Sequence, residues 1–137
     1  MVAFNFKPEF VDKIKSGDKR QTVRKTKRCN IGDAIQLYTG QRTKDCIKIA
    51  DAECCGIIEV SFFIENIRGN LRRVLHRSNP VNGMFEQLIE GITDPEGEEI
   101  HAFARADGFA NSTDMFWFFE KQYGLPFNGV LHKWILK

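Results

Sequence analysis

No stretch of this sequence stays apolar long enough to cross a membrane as a helix, no two cysteines sit in the C-x-x-C spacing of a strong zinc site, and no segment repeats. The first absence argues against a helical membrane protein. The second leaves Cys29, Cys46, Cys54 and Cys55 as reduced, partly buried thiols, the adjacent pair Cys54 and Cys55 diverging on an extended chain. Neither a metal nor a cofactor is expected. Residues 1–8 lack the basic start and long apolar stretch of a secretory signal, so the expected location is the cytoplasm. Net charge is scarce too, and +2 by itself favours no partner.

What is present suits one domain over residues 1–137, long enough for a hydrophobic core without disulfides or metals to hold it. The charge is unevenly spread. Residues 1–50 carry twelve Lys/Arg against five Asp/Glu, and residues 51–137 carry eight against thirteen. Much of the basic excess lies between Lys13 and Arg28, where Asp18 is the lone acid among Lys13, Lys15, Lys19, Arg20, Arg24, Lys25, Lys27 and Arg28. Such a run reads either as a surface for a phosphate-bearing partner or as a solvated face.

The most concentrated chemistry is Ser16-Gly17-Asp18-Lys19-Arg20-Gln21-Thr22-Val23-Arg24. Before it, Phe10, Val11 and Ile14 share one helical face behind Pro8, and Gly17 supplies a left-handed stop. After it, strand-like residue types put Val23 toward the core and Thr22 and Arg24 on the opposite face. Lys19 reaches Thr22 only if it still lies in the turn.

Along the rest of the chain, strands are expected near residues 2–6, 34–39, 46–64 and 129–136 besides 21–25, with a bulge or bend at Gly56. Helices are expected at 8–16 and at 113–123, the latter capped near Asn111 to Asp114 and ended by Gly124. The fold class is α+β: an antiparallel β-barrel or strongly curled sheet with flanking helices, burying Val23, Ile35, Leu37, Phe116 or Phe119, and Trp134. Residues 66–99 read as an insertion, with short helices at 71–77 and 84–90 and an acidic turn at 94–99. His76 reads as a surface histidine in the first of these. The dense aromatics of 116–123 read as core more than as a stacking surface.

A threonine hydroxyl becomes a nucleophile only beside a base, and a lysine serves when burial or neighbouring cations lower its pKa. Asp107 is a carboxylate able to orient that lysine or carry a proton; alternatively it pairs with Arg105 or caps the next helix. On spacing alone the second assignment is favoured.

The pattern Gly17-x-Lys19-x-x-Thr22-x-Arg24, followed by Gly32-Asp33 and a strand, and the later Ala104-x-x-Asp107-Gly108-Phe109 before a capped aromatic helix and a strand with Trp134, together resemble the ASCH domain family, which is similar to PUA domains. The resemblance spans nearly the whole chain outside 66–99. It implies a PUA-like β-barrel whose cleft accepts RNA, nucleotides or modified nucleosides, with Arg20, Arg24, Lys25 and Arg28 on its basic rim. One branch of that family deacetylates N4-acetylcytidine with a Lys, a Thr and a Glu. Lys19 and Thr22 match the first two, and Asp107 stands where the glutamate is expected, its carboxylate set back by roughly 1.5 Å. The resemblance thus implies either a binding module for RNA or nucleosides, or a nucleoside amidohydrolase with Thr22 as nucleophile, Lys19 as base and Asp107 as acid or orienter.

Overall fold

The computed structural model describes residues 2–79, 84–89 and 96–137. β1 (Val2–Phe6) alternates so that Phe4 and Phe6 turn inward. A single 3-10 turn at Pro8–Phe10, with proline where a missing N–H costs nothing, leads into α1 (Val11–Ser16), which buries Ile14. Gly17 ends it at φ +87°, donating to the Ile14 carbonyl at 3.2 Å. β2 (Gln21–Arg24) and β3 (Ala34–Thr39) follow, the latter burying Ile35 and Leu37.

The sheet is organised along β4 (Ile47–Ile67), a 21-residue strand. One edge pairs antiparallel first with β3 and then with β5 (Asn70–Ser78); the other pairs antiparallel with β7 (Phe127–Leu136). β6 (Phe85–Ile89) extends the sheet beyond β5, and β2 extends it beyond β7. Its length lets it serve three partners, β3 and β5 on successive stretches of one edge and β7 on the other. The β4–β7 register shifts between Cys54 and Gly56, where a glycine keeps the chain clear of the Lys133 side chain. α2 (Glu96–Ala106) and α3 (Ser112–Tyr123) complete the fold, α3 opened by the Asn111 side chain accepting from the Asp114 N–H at 2.9 Å. No helix among the described residues is long and apolar enough to cross a membrane.

The α+β class holds, with four corrections. β1 joins β3 in parallel, so the sheet is mixed. The strand pairings do not close into a barrel among the described residues, because β1 and β2 are not paired with each other. Side chains from the β2 side reach across instead: Arg24 Nη2 donates to the Asn5 carbonyl at 2.8 Å and Arg28 Nη2 to the Ala3 carbonyl at 2.9 Å. The helices expected at 71–77 and 84–90 are the strands β5 and β6, residue 90 lying outside the described residues. Pairing with β4 sets Leu75 beside Phe62, and that tertiary burial overrides a local helical stripe. His76 accordingly sits on a strand, its ring edge-on to Phe63. Of the expected acidic turn, residues 94 and 95 are outside the described residues and 96–99 begin α2.

The core forms two aromatic-rich clusters with Phe109 packed against both. In the first, α2 and α3 lie on β4, β5 and β7, with Phe62 stacked on Phe119 at 4.5 Å and edge-on to Phe116 at 5.6 Å. In the second, α1 and the 3-10 turn pack Phe10 and Ile14 with Phe4, Phe6, Ile35, Leu37 and Trp134. Replacing Phe62 by Ala is expected to cost about 3–5 kcal/mol, because neighbouring rings cannot collapse into the void. Urea unfolding measures it; a loss below about 1 kcal/mol would contradict the packing described.

Candidate functional site

Four segments meet where the two clusters join. The turn after α1 continues past Gly17, with the Lys19 N–H donating to the Lys13 carbonyl at 2.9 Å. The Arg20 N–H then donates to the Ala106 carbonyl at 2.8 Å, and the Trp134 N–H to the Arg20 carbonyl at 3.1 Å. These bonds pin the Lys19 turn against the end of α2 and against β7. α2 ends through the Phe109 N–H on the Ala104 carbonyl at 2.9 Å and the left-handed Gly108, φ +95°. A Cβ on Gly108 would stand 2.8 Å from Lys19 Cδ and 2.9 Å from the Phe10 ring, so only glycine lets the lysine stem pass.

The Lys19 side chain is 2% exposed. Its Nζ donates to the main-chain carbonyls of Gln21 at 2.9 Å and Asp107 at 2.5 Å, and lies over the rings of Phe10 at 4.8 Å and Phe6 at 5.4 Å. Lys13 Nζ donates to the Gly108 carbonyl at 2.7 Å. Two ammonium groups thus satisfy carbonyls at the C-terminal end of α2, where the helix dipole favours cations. Burial nevertheless dominates and lowers the Lys19 pKa to about 8; Arg24 and Lys13 act in the same direction, and the Asp107 carboxylate opposes them.

Asp107 is also 2% exposed, and its Oδ1 has no hydrogen-bond partner. Burial raises its pKa to about 6 against the pull of Lys19, Arg24 and Gln21. The attraction between the two groups is present, and desolvation outweighs it in both. Thr22 Oγ1 accepts from Arg24 Nε at 3.2 Å. The Arg24 guanidinium lies over Phe6 at 5.0 Å and Phe4 at 5.2 Å, and burial is the main cause lowering its pKa. Opposite Thr22 on β7, the buried His132 accepts the Arg28 N–H on Nε2 at 3.0 Å, and burial lowers its pKa to about 4.

Lys19, Thr22, Arg24 and Asp107 all line one cavity of about 280 Å³, walled by Phe6, Phe10, Phe109, Phe118 and Tyr123. The other three expected site residues do not. Arg20 is exposed and lines separate clefts beside Trp134 and Arg105; Lys25 is exposed in the bend after β2; Arg28 spends its guanidinium on β1 and on the Phe4 ring at 5.0 Å. Of the wider basic run, Lys15, Lys25 and Lys27 are exposed, while Lys13 is half-buried. The sequence reading missed the aromatic walls and Lys7, which come from four separate segments. Phe109 was within the Asp107-Gly108-Phe109 pattern, and Phe10 on the helix face, but neither position indicated a cavity.

No family model, curated protein or solved structure matches this chain. Among the described residues no three His, Cys, Asp or Glu side chains group as a metal site. The cavity instead offers a lysine of low pKa, an unpaired carboxyl oxygen and a hydroxyl between aromatic rings.

Both buried charges oppose folding, and their signs differ with pH. Asp107 holds its proton in the folded chain between pH 3.8 and about 6 while the unfolded chain has released it, so stability falls as pH rises through that window. Lys19 releases its proton at about 8 when folded but at 10.5 when unfolded, so stability rises again between those values. Denaturant midpoints across pH should show Asp107→Asn removing the fall and Lys19→Met removing the rise. Identical pH profiles for Lys19→Met and the native chain would contradict the placement of Lys19.

Proposed function

We propose that the cavity binds the base of a nucleoside, nucleotide or RNA residue, modified bases of the N4-acetylcytidine type included. The observation that carries this reading is the unpaired Asp107 Oδ1 in an aromatic-walled cavity. A buried acceptor without a partner is costly, and a flat ring bearing an N–H donor relieves that cost while its faces meet Phe6, Phe10 and Phe118. The volume lies at the small end of ligand sites, room for one ring system and not for a polymer. The unused Lys19 proton is available to a carbonyl on the same ring, since an ammonium has three donors and two are engaged. On this reading the curled sheet is the PUA-like scaffold of an ASCH-type domain, its seam spanned by Arg24 and Arg28, with exposed Lys25 and Lys27 adding contacts to phosphate.

A second reading, hydrolysis of an acylated base, is favoured by the low Lys19 pKa. In it Thr22 Oγ bonds to the acyl carbon and passes its proton to Lys19; the base nitrogen departs with a proton delivered through Asp107, and water then cleaves the acyl-threonine ester. Binding is preferred because Thr22 Oγ1 is engaged with Arg24 and Lys19 with two carbonyls, so nucleophile and base are not hydrogen-bonded to each other.

Calorimetric titration with cytidine, N4-acetylcytidine, their 5′-phosphates and short RNAs tests the binding reading. Asp107→Asn should weaken base binding about tenfold or more, the worth of one charge-assisted bond. Lys25→Ala with Lys27→Ala should leave nucleoside binding unchanged and reduce the salt slope for RNA by up to about one unit for each phosphate no longer neutralised. No binding of any base-bearing ligand would overturn the proposal. Any N4-acetylcytidine turnover should be weak, abolished by Thr22→Ala and raised by Asp107→Glu; turnover that survives Thr22→Ala would remove the nucleophile.

A further inference from the structure

Beside the cavity a second, more open cleft of about 630 Å³ runs along α3. The two share Lys7, Phe10, Phe109, Phe118 and Gln122 as lining, so the cleft adjoins the cavity. Its outer part is built around Trp117. This residue is 59% exposed, although Met115, Phe116 and Phe119 on the same helix are buried in the core. Folding therefore gains little from an indole here, where any helix former would serve.

The indole is flanked by positive charge. Lys121 Nζ lies over the Trp117 ring at 4.9 Å, Lys7 Nζ over the Phe118 ring at 4.9 Å, and Lys13 lines the same cleft; the acids there are Glu9 and Asp114. Two neighbouring rings, each with an ammonium against it, match a strand of alternating bases and phosphates, each base stacking on an aromatic and each phosphate meeting an ammonium. An uncharged nucleoside makes no use of this arrangement. The inner cavity, moreover, is too small for a second nucleotide, which must lie outside it, where the cleft continues.

Building on the binding reading above, we infer that the natural ligand is a single strand of nucleic acid: one base enters the Lys19/Asp107 cavity and the neighbouring base stacks on Trp117, with the phosphate that links them toward Lys7 and Lys121. The site is thus a two-base groove, and Trp117 sets the preference for a strand over a free nucleoside.

The test compares cytidine with the ribodinucleotides CpA and ApC, the two polarities a strand can take. Each is titrated into the native chain, Trp117→Ala and Trp117→Phe, with binding followed by calorimetry and by acrylamide quenching of tryptophan emission. Trp134 is 3% exposed, so quencher-accessible emission reports Trp117. One dinucleotide is expected to bind about tenfold or more tighter than cytidine and to shield Trp117 from acrylamide. Trp117→Ala should abolish that advantage while leaving cytidine affinity unchanged, and Trp117→Phe should keep most of it. Dinucleotides that bind no tighter than cytidine, or an advantage that survives Trp117→Ala, would overturn the groove and leave the base cavity standing. Failure of all three ligands to bind would overturn both.

Discussion

An ammonium group held out of water between the carbonyls of Gln21 and Asp107 is the constraint around which this fold is arranged. It requires α1 to stop at Gly17 so that Lys19 can turn back toward the end of α2, and it requires Gly108 to be a glycine so that the lysine stem can pass. It also requires aromatic surface on the remaining sides, which Phe6 and Phe10 supply. Burial of this kind is not a source of stability. The cavity persists because the aromatic clusters on either side supply its walls.

Arginine does a different task nearby. Arg24 and Arg28 extend from the β2 side to carbonyls two residues apart on β1, across the gap where a closed barrel would have backbone pairing. A guanidinium suits this seam because it bonds a carbonyl at its edge while its plane rests on Phe4 and Phe6. Arg24 also donates to Thr22, so the same side chain ties the seam to the cavity. The basic segment of the sequence thus divides by position: Arg24 and Arg28 are structural at the seam, Lys13 and Lys19 bond the end of α2, and Lys15, Lys25 and Lys27 face solvent.

Features decided within a few residues were legible in the sequence. The Gly17 stop, the alternation of Ile35 and Leu37, the Asn111 cap and the Gly56 irregularity follow from local conformational preferences and appear as expected. Lys19, Thr22, Arg24 and Asp107, drawn from two distant motifs, line one cavity in the structure. Features decided by a distant partner were not legible. Leu71, Val74 and Leu75 satisfy a helical stripe, yet β4 offers a free edge there, and strand pairing buries Val74 and Leu75 while leaving Leu71 exposed. α2 was missed although Ile100, Phe103 and Ala104 have helical spacing, because the acidic residues before them resemble a turn. The partners of Lys19 are main-chain carbonyls, which leave no mark in a sequence.

Burial, more than charge pairing, sets the state of Lys19 and Asp107. Site-resolved NMR titration of the Lys19 Nζ and the Asp107 carboxyl carbon in the native chain measures this directly. Midpoints near 8 for Lys19 and near 6 for Asp107 are predicted. Midpoints at the ordinary values of 10.5 and 3.8 would show both groups in water and contradict the account.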